Sequence, residues 1–168
     1  MKALILLVGT IAAAAIFASA GTASQSGRAI HLDLSLTAPY TFNPVADGEI
    51  DLTPTRVNLG PHLGSFIISG YTIVVPDCVE TDDSGVCILF SFERQTNLVF
   101  TAGNGDALGL FEDVTWLSTD QVPPTTWAVN GTTSTGKYSG YFGSGAYTMN
   151  FSVPDQVTIS LTGTLTTA

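Results

Sequence analysis

The stretch Thr135-Gly136-Lys137-Tyr138-Ser139-Gly140-Tyr141-Phe142-Gly143-Ser144-Gly145-Ala146-Tyr147-Thr148 decides how the rest of the chain is read. Its glycines permit positive φ and close backbone approach, and its aromatics supply buried area. Beyond Gly145 the chain alternates. Tyr147, Met149, Phe151 and Val153 point one way, and Thr148, Asn150 and Ser152 the other. That is the period of a strand with one face against a core. The segment is a glycine-punctuated turn feeding a long strand, with Tyr141 and Phe142 expected to be buried.

Similar patterns lie upstream. Ala29 to Ala38 sets Ile30, Leu32, Leu34 and Leu36 against His31, Asp33, Ser35 and Thr37, a half-buried strand. Pro39 to Pro44 is expected to interrupt it. Glu49 to Leu52 is a short strand ended by Pro54. Ser65 to Val75 has apolar residues on both faces, which predicts cover on both sides, with a bend or bulge at Gly70. Cys87 to Arg94 places Ile88, Phe90 and Phe92 on one face, and Leu98 to Ala102 follows as a separate strand. Gly103-Asn104-Gly105-Asp106 is a hairpin turn returning through Ala107 to Phe111, and Glu112-Asp113 reads as an edge or loop. Val114 to Leu117 and Thr126 to Val129 are further strands, and Val157 to Leu165 alternates to the end. No stretch after the N-terminus has helical periodicity. Eight to nine short strands predict an all-β domain, a single antiparallel barrel with a β-sandwich as the alternative.

The N-terminus lies outside that domain. Lys2 precedes an apolar run from Ala3 to Phe17, and Ala18-Ser19-Ala20 is a small-residue cleavage signal. This pattern predicts a secretory signal peptide over residues 1–20, a flexible leader over 21–28 and a barrel domain over 29–168. Cleavage is expected after Ala20, with Ala23 as the second site; an uncleaved anchor is the rival reading. Such a chain is secreted or periplasmic, with no stable membrane anchor once cleaved.

The 168 residues hold 5 basic and 14 acidic side chains, a net charge of −9. Removing Lys2 leaves Arg28, Arg56, Arg94 and Lys137 as the fixed positive charges. An acidic chain of this kind repels nucleic acid and anionic membranes. Its two cysteines, Cys78 and Cys87, flank Asp82-Asp83-Ser84-Gly85. A hairpin turning between Asp82 and Asp83 would set them opposite each other, and in an oxidising compartment they are expected to pair. Closing so short a loop stabilises by about 2.5–3 kcal/mol on the chain-entropy account.

Four motifs resemble those of small exported bacterial β-barrel proteins. Leu59 to Phe66 is similar to their strand entry with an HLG core, and Phe100 to Leu108 to their FTAANGDTL hairpin. Trp127 to Tyr147 resembles their GGTGRFAGATGSGTY segment, and Val157 to Leu165 their closing VTLTLTGTL strand. The likeness covers most of the chain after the leader, more loosely before His62. That group resembles the allene oxide cyclase and dirigent type of barrel. The resemblance implies an eight-stranded antiparallel barrel with an apolar interior that binds or isomerises an apolar small molecule, and by analogy a homo-oligomer. The shared motifs are turns and strand caps, and no catalytic residue of that class matches a position here. Tyr141-Phe142 and the cysteine hairpin depart from the pattern.

The residues themselves carry little chemistry. His31 and His62 have no ligand at metal spacing, and no HExxH, GxSxG or phosphate loop is present. No cofactor or metal is implied. The aromatics Tyr71, Phe100, Trp116, Trp127 and Tyr147 are candidates to line a ligand pocket, with plain core as the other reading. Glu93 and Arg94 could set charge at a barrel mouth or lie on the surface. Two functions therefore stand: a barrel that binds or isomerises an apolar small molecule, and a non-catalytic surface or interaction protein with a filled core. A secreted hydrolase ranks last.

Overall fold

Alternation along the chain produces eight strands: β1 (Ala29–Phe42), β2 (Glu49–Asn58), β3 (Ser65–Thr81), β4 (Cys87–Ala102), β5 (Ala107–Leu117), β6 (Thr125–Val129), β7 (Phe142–Val153) and β8 (Gln156–Thr166). The computed structural model describes residues 27–43, 48–120 and 123–167, without the side chains of residues 152 and 153. The predicted signal peptide, its cleavage site and all of the leader except Gly27 and Arg28 lie outside those residues. Each strand pairs antiparallel with the next, and β8 returns to β1 to close a barrel. That closing ladder runs from Ala29 opposite Thr166 to Pro39 opposite Gln156. A sandwich has no such closure, so the barrel is the fold.

The strand period sorts the side chains. Ile30, Leu32 and Leu34 are buried, while His31, Asp33 and Ser35 face solvent. At one end of the barrel Phe66, Phe100, Leu108 and Leu165 fill the lumen. Phe66 and Phe100 meet edge to face, with ring centroids 6.3 Å apart. Beneath them a 3₁₀ turn, Gly136–Tyr138, presses the fully buried Tyr138 ring against Phe66 at 5.6 Å. The glycine-punctuated stretch is thus both plug and wall. Gly145 stands opposite Gly163 across β7 and β8. A Cβ on Gly145 would lie 2.5 Å from the Gly163 Cα, so only a residue without a side chain fits there.

Several strands run longer than the sequence suggests. β1 continues through Pro39, which lacks an N–H but sits where pairing passes from β8 to β2. β2 continues through Pro54, because the register shifts between Leu52 and Thr55 and the extra residue bulges out. That bulge lies on β2, opposite the Gly70 segment, rather than on β3. β4 is one strand, since Gln95 and Asn97 face outward and Thr96 inward within an unbroken ladder to β5. β5 likewise runs through Glu112-Asp113. The outer face of β3 is not covered: Ile67 is 47% and Val75 51% exposed. Tyr141 is half-buried against Tyr138, with ring centroids 5.3 Å apart, but Phe142 is 48% exposed because it begins β7 on the outer face.

β3 and β4 project beyond the other end of the barrel as a long hairpin. Its turn is centred on Ser84, not between Asp82 and Asp83. The Asp82 N–H donates to the Val86 carbonyl, and the Ser84 and Val86 N–H groups donate to the Asp82 carboxylate. Cys78 therefore stands opposite Phe90 and Cys87 opposite Thr81. The ladder is irregular from Cys78 to Thr81, and there the two cysteines form a disulfide with Cα atoms 5.9 Å apart. This bond fits an oxidising extracellular or periplasmic setting.

Candidate functional site

The inward face of β4 divides the barrel into two halves. From the plugged end it carries Phe100 and Leu98, then Thr96 and Arg94, then Phe92 and Phe90 toward the open end. Phe100 and Leu98 belong to the filled lumen. Thr96 donates or accepts across to Thr72 on β3 at 2.6 Å. Arg94 and Glu112 form an ion pair at 2.7 Å, with side chains only 10% and 1% exposed. The register makes this pair, since Thr96 faces Glu112 and Arg94 faces Val114 one step outward on the same side of the sheet. The Arg94 guanidinium also lies over the Tyr147 ring, 5.8 Å from its centroid, close enough for a cation–π contact.

Tyr147 projects inward from β7. Its hydroxyl is buried and has no hydrogen-bond partner among the described residues. Burial pushes its pKa well above the ordinary phenol value, and the Glu112 carboxylate adds to this. The Thr96 and Thr72 hydroxyls, which lie near it without hydrogen-bonding geometry, and the Arg94 charge pull the other way. The group stays a neutral O–H throughout the physiological range.

The space at this end is uneven. In the lumen a cavity of about 10 Å³ lies beside Thr72, Leu98, Met149 and Ile159. That is room for about one water molecule. At the mouth a cleft of about 290 Å³ opens beside Arg94, Thr125, Tyr147, Met149 and the Pro123-Pro124 segment. It exists because β6 is short. β6 pairs with β5 only as far as Glu112 and with β7 only as far as Tyr147. Past those points no strand separates Val114–Leu117 from Met149–Val153 among the described residues.

Aromatic rings line the mouth. Phe90, Phe92 and Trp116 form a stacked strip, with centroids 6.3 and 5.5 Å apart and planes 29° and 22° from parallel. Elsewhere on the rim Tyr40 meets Phe42 and Phe151 edge to face at 5.5 and 5.3 Å.

Of the five aromatics singled out in the sequence, only Trp116 and Tyr147 lie at this end. Phe100 and Trp127 are buried in the core. Tyr71 faces outward, and its hydroxyl accepts a hydrogen bond from the Asn97 side chain. Arg94 does stand at the mouth, while its neighbour Glu93 faces outward. Glu112 was missed, although counting outward from the Gly103–Asp106 turn sets Thr96 against it. No group of three or more His, Cys, Asp or Glu residues suited to a metal is present among the described residues. No described helix is long and apolar enough to cross a membrane, which says nothing of a β-barrel.

Fold and site together define a closed eight-stranded antiparallel barrel, plugged at one end and open at the other over a buried ion pair. No protein-family model matches the chain, no curated protein is similar to it in sequence, and no solved structure matches it.

Proposed function

We propose that this is an exported barrel that binds an apolar small molecule at its open end. The observation that carries the reading is the cleft of about 290 Å³ lined by Arg94, Tyr147, Met149 and Pro123-Pro124, with the Phe90–Phe92–Trp116 strip continuing from Arg94 along the same inward face of β4 and β5. An apolar wall with a few convergent polar groups is the usual form of a small-molecule site. The resemblance to allene oxide cyclase and dirigent-type barrels supports the same class of ligand. Binding is favoured over isomerisation because the acid–base groups at the mouth are held back from an occupant: Glu112 is tied to Arg94, and the Tyr147 hydroxyl is enclosed by the protein. Native mass spectrometry of the exported protein tests this. A bound small molecule that is lost on Trp116→Ala is the expected result, and a ligand-free wild-type protein counts against the reading.

A second reading rests on the lumen, where the cavity beside Thr72, Leu98, Met149 and Ile159 holds about 10 Å³. A filled barrel serves equally as a non-catalytic surface or interaction protein. Its mark would be a mouth indifferent to small apolar compounds. Export to the periplasm or the exterior accords with the disulfide and with the residues around Ala20. N-terminal sequencing of the mature protein should begin at Gly21; an intact Met1 in the membrane fraction would refute cleavage.

A further inference from the structure

The charge balance at the floor of the mouth narrows the class of ligand. Arg94 gives its Nε and one Nη2 hydrogen to the two Glu112 carboxylate oxygens, at 3.4 and 2.7 Å. Its Nη1 group has no hydrogen-bond partner among the described residues. Arg94 lines the cleft, so those hydrogens are donors left over for an occupant. The charge is already spent. Glu112 is 1% exposed, and Arg94 is its ion-pair partner.

An anionic head group on Nη1 would set a second carboxylate on a guanidinium whose charge Glu112 already neutralises, leaving one uncompensated negative charge in a largely buried site, which is unfavourable. A neutral oxygen acceptor can take the Nη1 hydrogens without disturbing the pair. The rings above add a shape requirement. Phe92 stands opposite Trp116 one register step beyond Arg94 and Val114. The two rings stack on each other with planes 22° from parallel, and Trp116 ends the strip, so its far face is where a flat apolar body would extend the stack.

Resting on the reading of the mouth as a binding site, we propose that its ligands are uncharged, planar and apolar, with a carbonyl or ether oxygen received by Arg94. Glu112 is then a specificity residue that excludes carboxylates by neutralising the arginine. Phe92 and Trp116 hold the ring system.

Three matched probes test this by isothermal titration calorimetry on the exported protein: 2-acetylnaphthalene, 2-naphthoate and 2-ethylnaphthalene. The ketone should bind at least about tenfold tighter than either of the others, the size of one good hydrogen bond. Glu112→Gln keeps the shape and frees the arginine charge, so naphthoate should then overtake the ketone. Trp116→Ala should weaken all three alike. The wild-type ranking stands without any variant, so a Glu112→Gln protein that fails to fold does not protect the proposal. Wild-type protein that prefers naphthoate, or that binds ketone and hydrocarbon equally, overturns the inference while leaving the binding site in place. Failure of all three probes to bind overturns the site itself.

Discussion

The indole of Trp127 occupies the space that a side chain on Gly163 would need: a Cβ there would come within 2.6 Å of the Trp127 Cζ2. The same indole donates from Nε1 to the Thr162 carbonyl at 3.2 Å. A large ring on β6 thus reaches over glycines on β7 and β8 and locks three strands together.

Gly163→Val and Gly145→Val should each therefore destabilise the barrel by about 3 kcal/mol or more. Overpacking alone costs about 1–3 kcal/mol, and here the added atoms also meet backbone. Trp127→Phe should cost less, about 1–3 kcal/mol, through the lost hydrogen bond and volume. Urea titration of the three variants should rank them in that order. If Gly145→Val unfolds like wild type, the packing account of the glycine segment is wrong.

The Arg94–Glu112 pair makes a non-additive prediction. Arg94→Leu or Glu112→Leu alone strands a buried charge and should cost about 3–5 kcal/mol. The double variant removes both charges and should recover most of the loss. Recovery to wild-type stability would mean that the pair is kept for recognition rather than folding. Two single losses that simply add would show that the residues do not act as a pair.

Cys78→Ser should lower stability by about 2.5–3 kcal/mol, with the loss confined to conditions that are not reducing. Labelling of the denatured, unreduced wild-type protein should find no free thiol. Under a reductant the variant and wild type should melt alike; a difference that persists would assign the effect to packing of the sulfur.

Asp113 gives a pH signature. Burial raises its pKa, and the nearby Glu93 and Glu112 charges raise it further. A carboxylate whose folded pKa is raised costs stability above that pKa, where it is ionised in both states. The cost disappears as pH falls below the ordinary carboxylate range, where it is protonated in both. Asp113→Asn should accordingly stabilise the protein at pH 7 and have no effect near pH 2. Thermal melts at the two pH values check the sign. Equal stabilisation at both would exclude a charge effect.

Asp155 holds φ at 59° in the two-residue turn between β7 and β8. Glycine adopts that conformation without a Cβ penalty. Asp155→Gly should leave stability unchanged or raise it by about 0.5–1 kcal/mol, measured by thermal melting. A clear loss would point to a role for the carboxylate.

Strands with clean alternation were legible in the sequence, as β1 and β8 illustrate, because burial there follows residue parity. The Gly103–Asp106 hairpin was legible through its turn chemistry, and the cysteine pair through its spacing. What escaped was polar residues inside strands. Glu112-Asp113 looked like a loop because a carboxylate inside a barrel is stable only with a partner, and the partner of Glu112 lies eighteen residues away, while Asp113 faces outward. Pro39 and Pro54 looked like strand ends because a single sequence does not show that pairing changes partner beside one and bulges at the other. The aromatics were recognisable as candidates, but their faces depended on register. Parity from Phe90 through Phe92 to Arg94 was the signal that pointed into the mouth.

The closing ladder between β1 and β8 also sets the order of events in folding. The first strand of the barrel finds its second neighbour only when the last one is available, more than a hundred residues later. Contacts of such long range slow folding, typically to milliseconds or seconds for all-β domains. Until β8 arrives, β1 has an unpaired edge and its leucines lie open, so a nascent chain cannot reach the native state early. Deleting β8 would leave that edge permanently exposed and should yield aggregates rather than a seven-stranded barrel.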